Sequence, residues 1–251
     1  MIIDVDMGNS RIKWRYAGVR DSFGVINASD ELPEEWKSLP PQSRFRISSV
    51  IGAARTREFS NRLAALENVV VEIAVVKNPF AGVNLAYADI TKFGVDRWLA
   101  LLAAKAKHPV ANCVVVHGGT ALVADLLCAD GRHLGGFIAP GWHTSLRSLG
   151  EAAYALSLAD TASDFGRSQP GATTLECIAA GASLLFKGFL RELNLVASAQ
   201  LKSPVWIFTG GDAKLLLALM SATQLETAAS SDDRYELARD LVLEGLAIAL
   251  P

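Results

Sequence analysis

Short apolar runs alternate along this chain with longer segments of helical periodicity. The short runs predict buried strands, and the longer segments predict helices packed against them. The predicted strands span residues 2–5, 12–16, 46–50, 69–76, 114–116, 121–127 and 205–208. The predicted helices span residues 53–66, 95–106, 144–158, 175–197, 214–219 and 234–250. This alternation of strands and helices indicates the α/β class.

Two of the predicted strands run directly into a small polar loop that contains glycine, at residues 8–10 and at residues 117–120. Each loop is followed at once by another strand, so both halves are predicted to open with a β-hairpin. Glycine lets backbone N–H groups approach an anion closely, and the pair of loops therefore indicates a divided phosphate site in a cleft between two related halves. The predicted domains are residues 1–110 and 111–251.

The composition narrows the class of protein. The chain has 251 residues, of which 51% are hydrophobic, and a net charge of −2. This charge provides no basic field for a polyanion, which argues against nucleic acid as the main ligand. The N-terminus has no basic leader and no apolar run reaches the length of a membrane span, so a cytoplasmic protein without membrane partners is expected. The three scattered cysteines are interpreted as reduced core thiols.

The first loop carries groups that suit a metal–phosphate site. Asp6 is predicted to hold Mg²⁺ through water, while the amide of Gly8 and the side chain of Asn9 or Ser10 contact terminal phosphate oxygens. Lys13 would add a positive charge. The alternative is an ordinary hairpin in which Gly8 and Asn9 only provide the turn.

The predicted helix at 95–106 is apolar on nearly every side after its first turn, which makes its polar beginning conspicuous. Asp96 in the first turn would be stabilised as a carboxylate by the helix dipole and could accept a proton from a substrate hydroxyl. Arg97 offers a planar group for a carboxylate or an amide oxygen. The alternative is a helix-stabilising aspartate beside a surface arginine.

Three further segments carry weaker signals. Gly210 and Gly211 end a strand and open a helix, where an adenosine or a phosphate could lie against the backbone. The paired glycines within residues 135–141 indicate close backbone approach, either to a ligand or to a neighbouring strand. Thr173 and Glu176 have the spacing of a capping box.

The helix after this capping box carries Gly181 and Gly188 on one face. Glycine inside a helix costs about 1 kcal/mol relative to alanine, so this face is expected to pack closely on something. A subunit interface is one candidate.

Taken together, these segments resemble the type III pantothenate kinase family, within the superfamily of acetate and sugar kinases, heat-shock chaperone ATPases and actin. The resemblance covers nearly the whole chain and depends on seven motifs in order. They are D-x-G-N-S-x-x-K at 6–13, S-S-V at 48–50, G-x-D-R-W at 94–98, G-T-A at 119–121, G-G-x-I-x-P-G at 135–141, T-x-E-x-I-x-x-G at 174–181 and T-G-G at 209–211.

The resemblance implies two ribonuclease-H-like domains that close on ATP and Mg²⁺, a monovalent cation (K⁺ or NH₄⁺), and a homodimer. It implies transfer of the γ-phosphoryl group of ATP to the primary hydroxyl of pantothenate, the first step toward coenzyme A. Asp6 would organise the metal and Asp96 would orient or deprotonate the hydroxyl. The implied phosphate-binding residues are Asp6, Gly8, Asn9, Ser10, Lys13, Gly119, Thr120, Gly210 and Gly211. The implied pantothenate-binding residues are Tyr87, Gly94, Asp96, Arg97 and Thr174.

The second loop departs from the family pattern, because His117 stands where a carboxylate is usual. Imidazole is a poor ligand for Mg²⁺, so the metal site would depend on Asp6, helped by Asp125. Two alternatives to an active pantothenate kinase follow. One is a regulatory or accessory relative that binds nucleotide or pantothenate without fast turnover, and the other is a kinase with a different small acceptor.

Overall fold

The computed structural model describes residues 1–9, 11–19, 22–27, 30–152, 165–167, 169–225 and 234–251. The strands are β1 (Ile2–Met7), β2 (Ile12–Tyr16), β3 (Phe23–Ile26), β4 (Ser43–Ser49), β5 (Val69–Ile73), β6 (Cys113–Gly118), β7 (Ala121–Leu127), β8 (His133–Pro140), β9 (Val205–Gly210) and β10 (Tyr235–Leu237). The helices are α1 (Ala53–Ala64), α2 (Val95–Lys107), α3 (Trp142–Ala152), α4 (Thr174–Gln200), α5 (Ala213–Leu225) and α6 (Leu241–Ala249).

The chain forms two compact units with the same sheet topology. The first contains Met1–Lys107 and Asp240–Pro251, and the second contains His108–Arg239. The first sheet has the order β3-β2-β1-β4-β5, and the second has the equivalent order β8-β7-β6-β9-β10. In each sheet the first three strands in sequence are antiparallel, the fourth pairs in parallel with the first, and the fifth pairs in parallel with the fourth. The α/β class and the two opening hairpins are therefore confirmed.

The alternation of β1 separates the core of the first unit from its polar face. Ile3, Val5 and Met7 are fully buried in one apolar cluster with residues of β2, β4 and α1. Since side chains alternate along a strand, Asp4 and Asp6 point to the opposite face. The polar groups of β1 thus share one side of the sheet.

Asp4 is buried in a paired network on this side. Its Oδ1 accepts hydrogen bonds from the Arg46 guanidinium, with Nε and Nη2 each at 2.7 Å, and its Oδ2 accepts one from Arg15 Nε at 3.2 Å. Arg46 also donates to the carbonyl of Leu250 at 3.0 Å. These bonds attach the C-terminal segment to the first sheet.

This attachment explains why the compact units differ from the predicted domain ranges. Residues 240–251 were predicted in the second domain, whereas their contacts group them with the first compact unit. Helix α6 packs on α2, where a Cβ at Gly245 would collide with the backbone of Leu99. The long-range packing of two apolar helices cannot be derived from local pattern alone.

In the second unit, β6, β7 and β9 meet the helices α3, α4 and α5 in one core. Its fully buried members include Val114, Val116, Leu190, Phe208 and Leu216. The capping box that begins α4 is confirmed, since Thr173 Oγ1 accepts from the Glu176 amide at 3.3 Å and Glu176 Oε2 accepts from the Ala172 amide at 2.7 Å. These caps fix the start of the longest helix.

Several local predictions were wrong. Residues Tyr235–Leu237, expected in a helix at 234–250, form β10 and pair in parallel with β9, and α6 begins only at Leu241. The edge strand β3 was missed. Helix α3 is described as far as Ala152, and the rest of the helix predicted at 144–158 lies outside the described residues.

The three cysteines are free, but they do not share one environment. Cys113 is buried, Cys128 is partly buried and Cys177 is exposed. The core interpretation is therefore wrong for Cys177. Within the described part of the chain, no helix combines the length and apolar character that crossing a membrane requires.

Candidate functional site

The first loop is a tight turn between β1 and β2. The amide of Gly8 donates to the carbonyl of Arg11 at 3.1 Å, which closes the turn, and Asn9 is exposed at its tip. Ser10 lies outside the described residues. The turn places the polar end of β1 beside the beginning of β2.

Asp6 stands in a row of polar side chains across the first sheet. It pairs with Lys13 on β2 and with Ser48 on β4. Directly opposed residues on neighbouring strands project from the same face of a sheet. The hairpin and the parallel strand β4 therefore bring a carboxylate, an ammonium and a hydroxyl together.

The environment of Asp6 disfavours its charge. Burial, followed by the negative charge of Asp96, raises the pKa of Asp6 from 3.8 to about 6, against the opposing effects of Ser48 and Lys13. A group that holds a cation gains from such an arrangement, since the cation relieves the unfavourable charge. The contribution of Asp96 to this pKa also indicates that its negative charge acts on the Asp6 carboxyl.

Two buried polar atoms at this point have no hydrogen-bond partner among the described residues. They are Oδ1 of Asp6 and Oγ of Ser48. Oxygen atoms of this kind suit a hard, hydrated cation such as Mg²⁺, which usually binds one or two carboxylates and retains several waters. No group of three His, Cys, Asp or Glu side chains that could hold a metal occurs in the described part of the chain. The donor set thus fits a water-rich Mg²⁺ site better than a cage of protein ligands.

Asp96 lies in the first turn of α2, where its side chain bonds to the helix backbone. Its Oδ1 accepts from the backbone amide of Arg97 at 2.8 Å, and the carbonyl of Gly94 accepts the first helical bond, from Trp98 at 3.1 Å. The dipole at a helix N-terminus stabilises the carboxylate. The predicted acid is therefore half-buried and oriented by the helix.

The Arg97 guanidinium is held between aromatic rings. It lies 4.4 Å from the centre of the Phe93 ring and 5.7 Å from that of Tyr87, and its Nη1 donates to the Tyr87 hydroxyl at 3.3 Å. The two rings meet edge to face with their centres 4.8 Å apart. Contacts with two rings fix the plane of the guanidinium, so Arg97, which is 7% exposed, is oriented by its surroundings.

In the second unit, the loop after β6 is pressed against the end of β9. Gly118 pairs with Gly210 across the two strands. A Cβ at Gly210 would collide with the carbonyl of Gly118 and with the His117 ring, so only glycine allows this approach. The His117 imidazole therefore packs on the backbone where the T-G-G segment begins.

The same loop is also fixed from the β8–α3 junction. The carbonyl of Thr120 accepts from the Gly141 amide at 3.0 Å and from the Thr144 hydroxyl at 2.7 Å. A Cβ at Gly141 would collide with the carbonyl of Gly119. Gly141 thus serves close packing against the loop, whereas a Cβ at Gly135 would meet no described atom within 4 Å.

The N-terminus of α5 follows directly from β9. The amide of Asp212 donates to the carbonyl of Gly118 at 3.2 Å, and α5 begins at Ala213, after Gly210 and Gly211. The structure therefore brings together Gly119, Thr120, Gly210 and Gly211, which the sequence predicted as one phosphate-binding group. Amides at a helix N-terminus and in glycine loops are suited to anions.

Asp125 lies on β7 and is buried. Its Oδ1 is 2.9 Å from Nε2 of His133, which is buried as well. A contact between Asp125 and a metal stays a prediction. Thr174, in turn, is the first residue of α4 and is exposed.

Two residues of the site were missed by sequence reasoning. Ser48 was quoted only as part of a motif, and Phe93 was given no role. The signal for Ser48 is its register opposite Asp6, which appears only once β4 is paired with β1. The signal for Phe93 is its place one residue before Gly94, where its ring meets Arg97.

The fold has relatives among solved structures. A protein from Campylobacter jejuni described as a Baf family transcriptional activator superimposes with a TM-score of 0.58 at 19% identity, covering 98% of this chain and 95% of that one. A protein from Sinorhizobium meliloti described as a 2-dehydro-3-deoxygalactonokinase gives 0.61 at 16% identity, covering 99% and 95%. MreB5 of Spiroplasma citri bound to ADP gives 0.50 at 10% identity, covering 98% and 95%. At these identities the likeness concerns the fold, which is shared with a sugar kinase and with MreB.

Sequence relatives define the family. The family model for type III pantothenate kinase matches residues 2–195. The type III pantothenate kinase of Pseudomonas paraeruginosa is 37% identical, with 100% of this chain and 99% of the relative covered. That of Pseudomonas fluorescens strain SBW25 is 34% identical, with the same coverage. This chain therefore belongs to the type III pantothenate kinase family.

Proposed function

We propose that this protein transfers the γ-phosphoryl group of ATP to the primary hydroxyl of pantothenate, giving 4′-phosphopantothenate and ADP at the start of coenzyme A biosynthesis. The observation that carries the proposal is the arrangement of two acids in the first unit: Asp6 stands opposite Lys13 and Ser48 at the end of β1, and Asp96 lies in the first turn of α2, where its negative charge helps to raise the pKa of Asp6. Phosphoryl transfer needs one carboxylate for the metal and one for the acceptor hydroxyl, and these two acids fit those roles. Membership of the kinase family provides the substrates.

In the proposed reaction, the pantothenate oxygen forms a bond to the γ-phosphorus while the bond from phosphorus to the β–γ bridging oxygen breaks. Asp96 accepts the hydroxyl proton, and ADP leaves with the bridging oxygen. Asp6 would hold Mg²⁺, which, when bound, neutralises charge on the phosphates. Lys13, opposite Asp6 on β2, would add positive charge beside the transferring group.

Phosphate oxygens would also meet the glycine loops. Gly8, whose lack of a side chain lets an anion approach the turn, and the side chains of Asn9 and Ser10 are the proposed phosphate-binding residues of the first unit. Gly119, Thr120, Gly210 and Gly211 are the corresponding contacts of the second unit. Their support is the packing of the second loop on the β9–α5 turn, where only glycine fits at position 210. A monovalent cation, K⁺ or NH₄⁺, remains a proposal taken from the family.

Pantothenate is an anion with a carboxylate, and Arg97 is the proposed partner of that carboxylate. Its guanidinium plane is fixed by Phe93 and Tyr87, which suits paired hydrogen bonds to two oxygens. Tyr87, Gly94 and Thr174 are the further proposed contacts.

Arg97→Lys should raise KM for pantothenate about 10-fold or more while lowering kcat much less. Lysine keeps the charge but cannot stack its ammonium as a plane or form two parallel bonds. Steady-state kinetics at saturating ATP separates the two constants. Arg132→Lys, which changes an arginine at an exposed turn in the second unit, is the matched control and should match the wild type. Equal KM values for wild type and Arg97→Lys would contradict the assignment.

We also propose that the protein is a homodimer through the exposed face of α4. Leu184, Leu185 and Leu195 are 63%, 71% and 56% exposed there. A Cβ at Gly181 or Gly188 would meet no atom of the described residues within 4 Å, which leaves room for a partner. Exposed apolar surface of this kind is typical of an interface.

The proposed interface predicts a change of mass in solution. Wild-type protein should sediment at twice 26.8 kDa. Leu185→Glu places a charge in the apolar face and should shift the equilibrium to monomer. Sedimentation equilibrium of both proteins tests this, and a monomeric wild type would contradict the dimer.

A second candidate function is a relative that binds nucleotide or pantothenate with little turnover. The observation that favours it is His117 in the second loop, whose ring packs on Gly210 at the end of β9. Imidazole is a poor ligand for Mg²⁺, so the second loop would contribute no carboxylate to the metal site.

An assay of ADP release with and without pantothenate, in Mg²⁺ and K⁺, tests the proposed function. Pantothenate-dependent ADP supports the kinase, while nucleotide binding without ADP release supports the second candidate. If turnover is slow, His117→Asp should raise it, because a carboxylate would then face the metal or its waters. No release with either protein would remove pantothenate kinase activity from consideration.

A further inference from the structure

Two buried serines on β4 differ in their hydrogen bonding. Ser43 and Ser48 are both fully buried. Ser43 Oγ donates to the carbonyl of Pro40 at 2.6 Å, whereas Ser48 Oγ has no hydrogen-bond partner among the described residues. A buried hydroxyl without a partner lowers stability, because it lost its water on folding and gained nothing in return. Ser43 thus has a structural explanation and Ser48 has none.

The position of Ser48 indicates what the hydroxyl is for. It pairs in register with Asp6, whose Oδ1 is also buried and has no hydrogen-bond partner in the part of the chain that the structure describes. Ser48 and Asp6 stand at opposed positions on the same face of the sheet, and neither Ser48 Oγ nor Asp6 Oδ1 makes a hydrogen bond of ordinary distance and angle with a described residue. Two adjacent polar atoms that do not satisfy each other are both available to a third group.

The third group must interact with a hydroxyl, either as a hydrogen-bond partner or by coordination. It must also bind a carboxylate. A hydrated divalent cation has this chemistry, since its waters donate to carboxylate and hydroxyl oxygens alike. A phosphate oxygen is a poorer fit, because it would meet the Asp6 carboxylate as a like charge.

We propose that Ser48 is a metal-site residue, whose hydroxyl holds a water of the divalent cation bound at Asp6. This inference rests on the proposed function, because it concerns the same cation. It adds a hydroxyl from β4 to a site that otherwise depends on the β1–β2 hairpin. Groups that orient metal-bound water commonly contribute 10- to 100-fold to metal affinity.

The test compares Ser48→Ala with Ser43→Ala, using Mn²⁺ as the probe in the presence of saturating ADP. Free Mn²⁺ is measured by electron paramagnetic resonance, and the stability of each metal-free protein by its urea midpoint. Ser48→Ala should weaken Mn²⁺ binding about 10-fold and leave the urea midpoint unchanged or higher, because a partnerless hydroxyl is removed. Ser43→Ala should lower the urea midpoint and leave Mn²⁺ binding unchanged.

The outcomes are distinct. Unchanged Mn²⁺ affinity in Ser48→Ala overturns the inference, and a lowered urea midpoint in the same variant would identify a structural hydroxyl instead. If wild-type protein binds no Mn²⁺ with ADP, the metal site of the proposed function fails, and this inference fails with it. If the wild type binds Mn²⁺ and Ser48→Ala binds it equally well, only the role of Ser48 is removed.

Discussion

Replacing Asp96 with asparagine should lower kcat by about 10²- to 10⁴-fold, the range expected for loss of a general base. Asparagine can keep the bond in which the side chain at position 96 accepts from the Arg97 amide, so the start of α2 should be preserved. What is lost is the ability to take the hydroxyl proton. KM for pantothenate should change little, because Arg97 and its aromatic neighbours remain in place.

Asp89→Asn is the matched control for Asp96→Asn. Asp89 is an exposed acid of the same unit, and its Oδ1 accepts from the Thr91 amide at 3.0 Å, much as Asp96 accepts from Arg97. Steady-state rates of ADP formation at saturating ATP and pantothenate should match the wild type for Asp89→Asn. A kcat for Asp96→Asn within a few-fold of wild type would remove Asp96 as the proton acceptor.

The sequence predicts the centre of each sheet better than its edges. Strands β1, β2, β6 and β7 are rich in apolar residues and flank glycine loops, and they were all predicted. The edge strand β10 was assigned to a helix, because Tyr235–Leu237 is too short to establish a period of two. It forms where the ring centre of Tyr235 lies 6.4 Å from the ring centres of both Trp206 and Phe208. These are tertiary contacts. Packing on β9 thus overrides local propensity.

The residues of the candidate site also differ in how far the sequence predicts their positions. Asp6 and Lys13 lie on one hairpin, so their proximity follows from a short turn that the sequence displays. Ser48 lies opposite Asp6 only because β4 pairs in parallel with β1. The register of a parallel pair cannot be predicted from the sequence of either strand. The glycine at position 210 was recognised, but its reason, the approach of Gly118 and the His117 ring, required the folded sheet.

Asp6→Asn should make the protein more stable and much less active. In the folded protein the pKa of Asp6 is raised from 3.8 to about 6, so the folded state binds this proton more tightly than the unfolded state. The free energy of unfolding therefore falls as pH rises from about 4 through 6, and the loss is complete at pH 8. Removing the carboxylate should restore as much as ~3 kcal/mol at pH 8 and nothing at pH 3. Turnover should fall on the order of 10²- to 10³-fold, because the charge that holds the cation is gone.

Asp4→Asn, two residues away on the same face of β1, is the control and should have the opposite effect on stability. Asp4 satisfies the buried Arg46 guanidinium and also binds Arg15, so losing its charge leaves a buried cation poorly paired. Breaking such a pair typically costs 3–5 kcal/mol, roughly the value expected here. Urea unfolding of the three metal-free proteins at pH 5 and pH 8 measures both effects. A variant Asp6→Asn that is less stable than wild type at pH 8 would mean that the Asp6 carboxylate supports the fold. A more stable Asp6→Asn variant would mean that β1 keeps Asp4 for structure and keeps Asp6, at a cost in stability, for the cation.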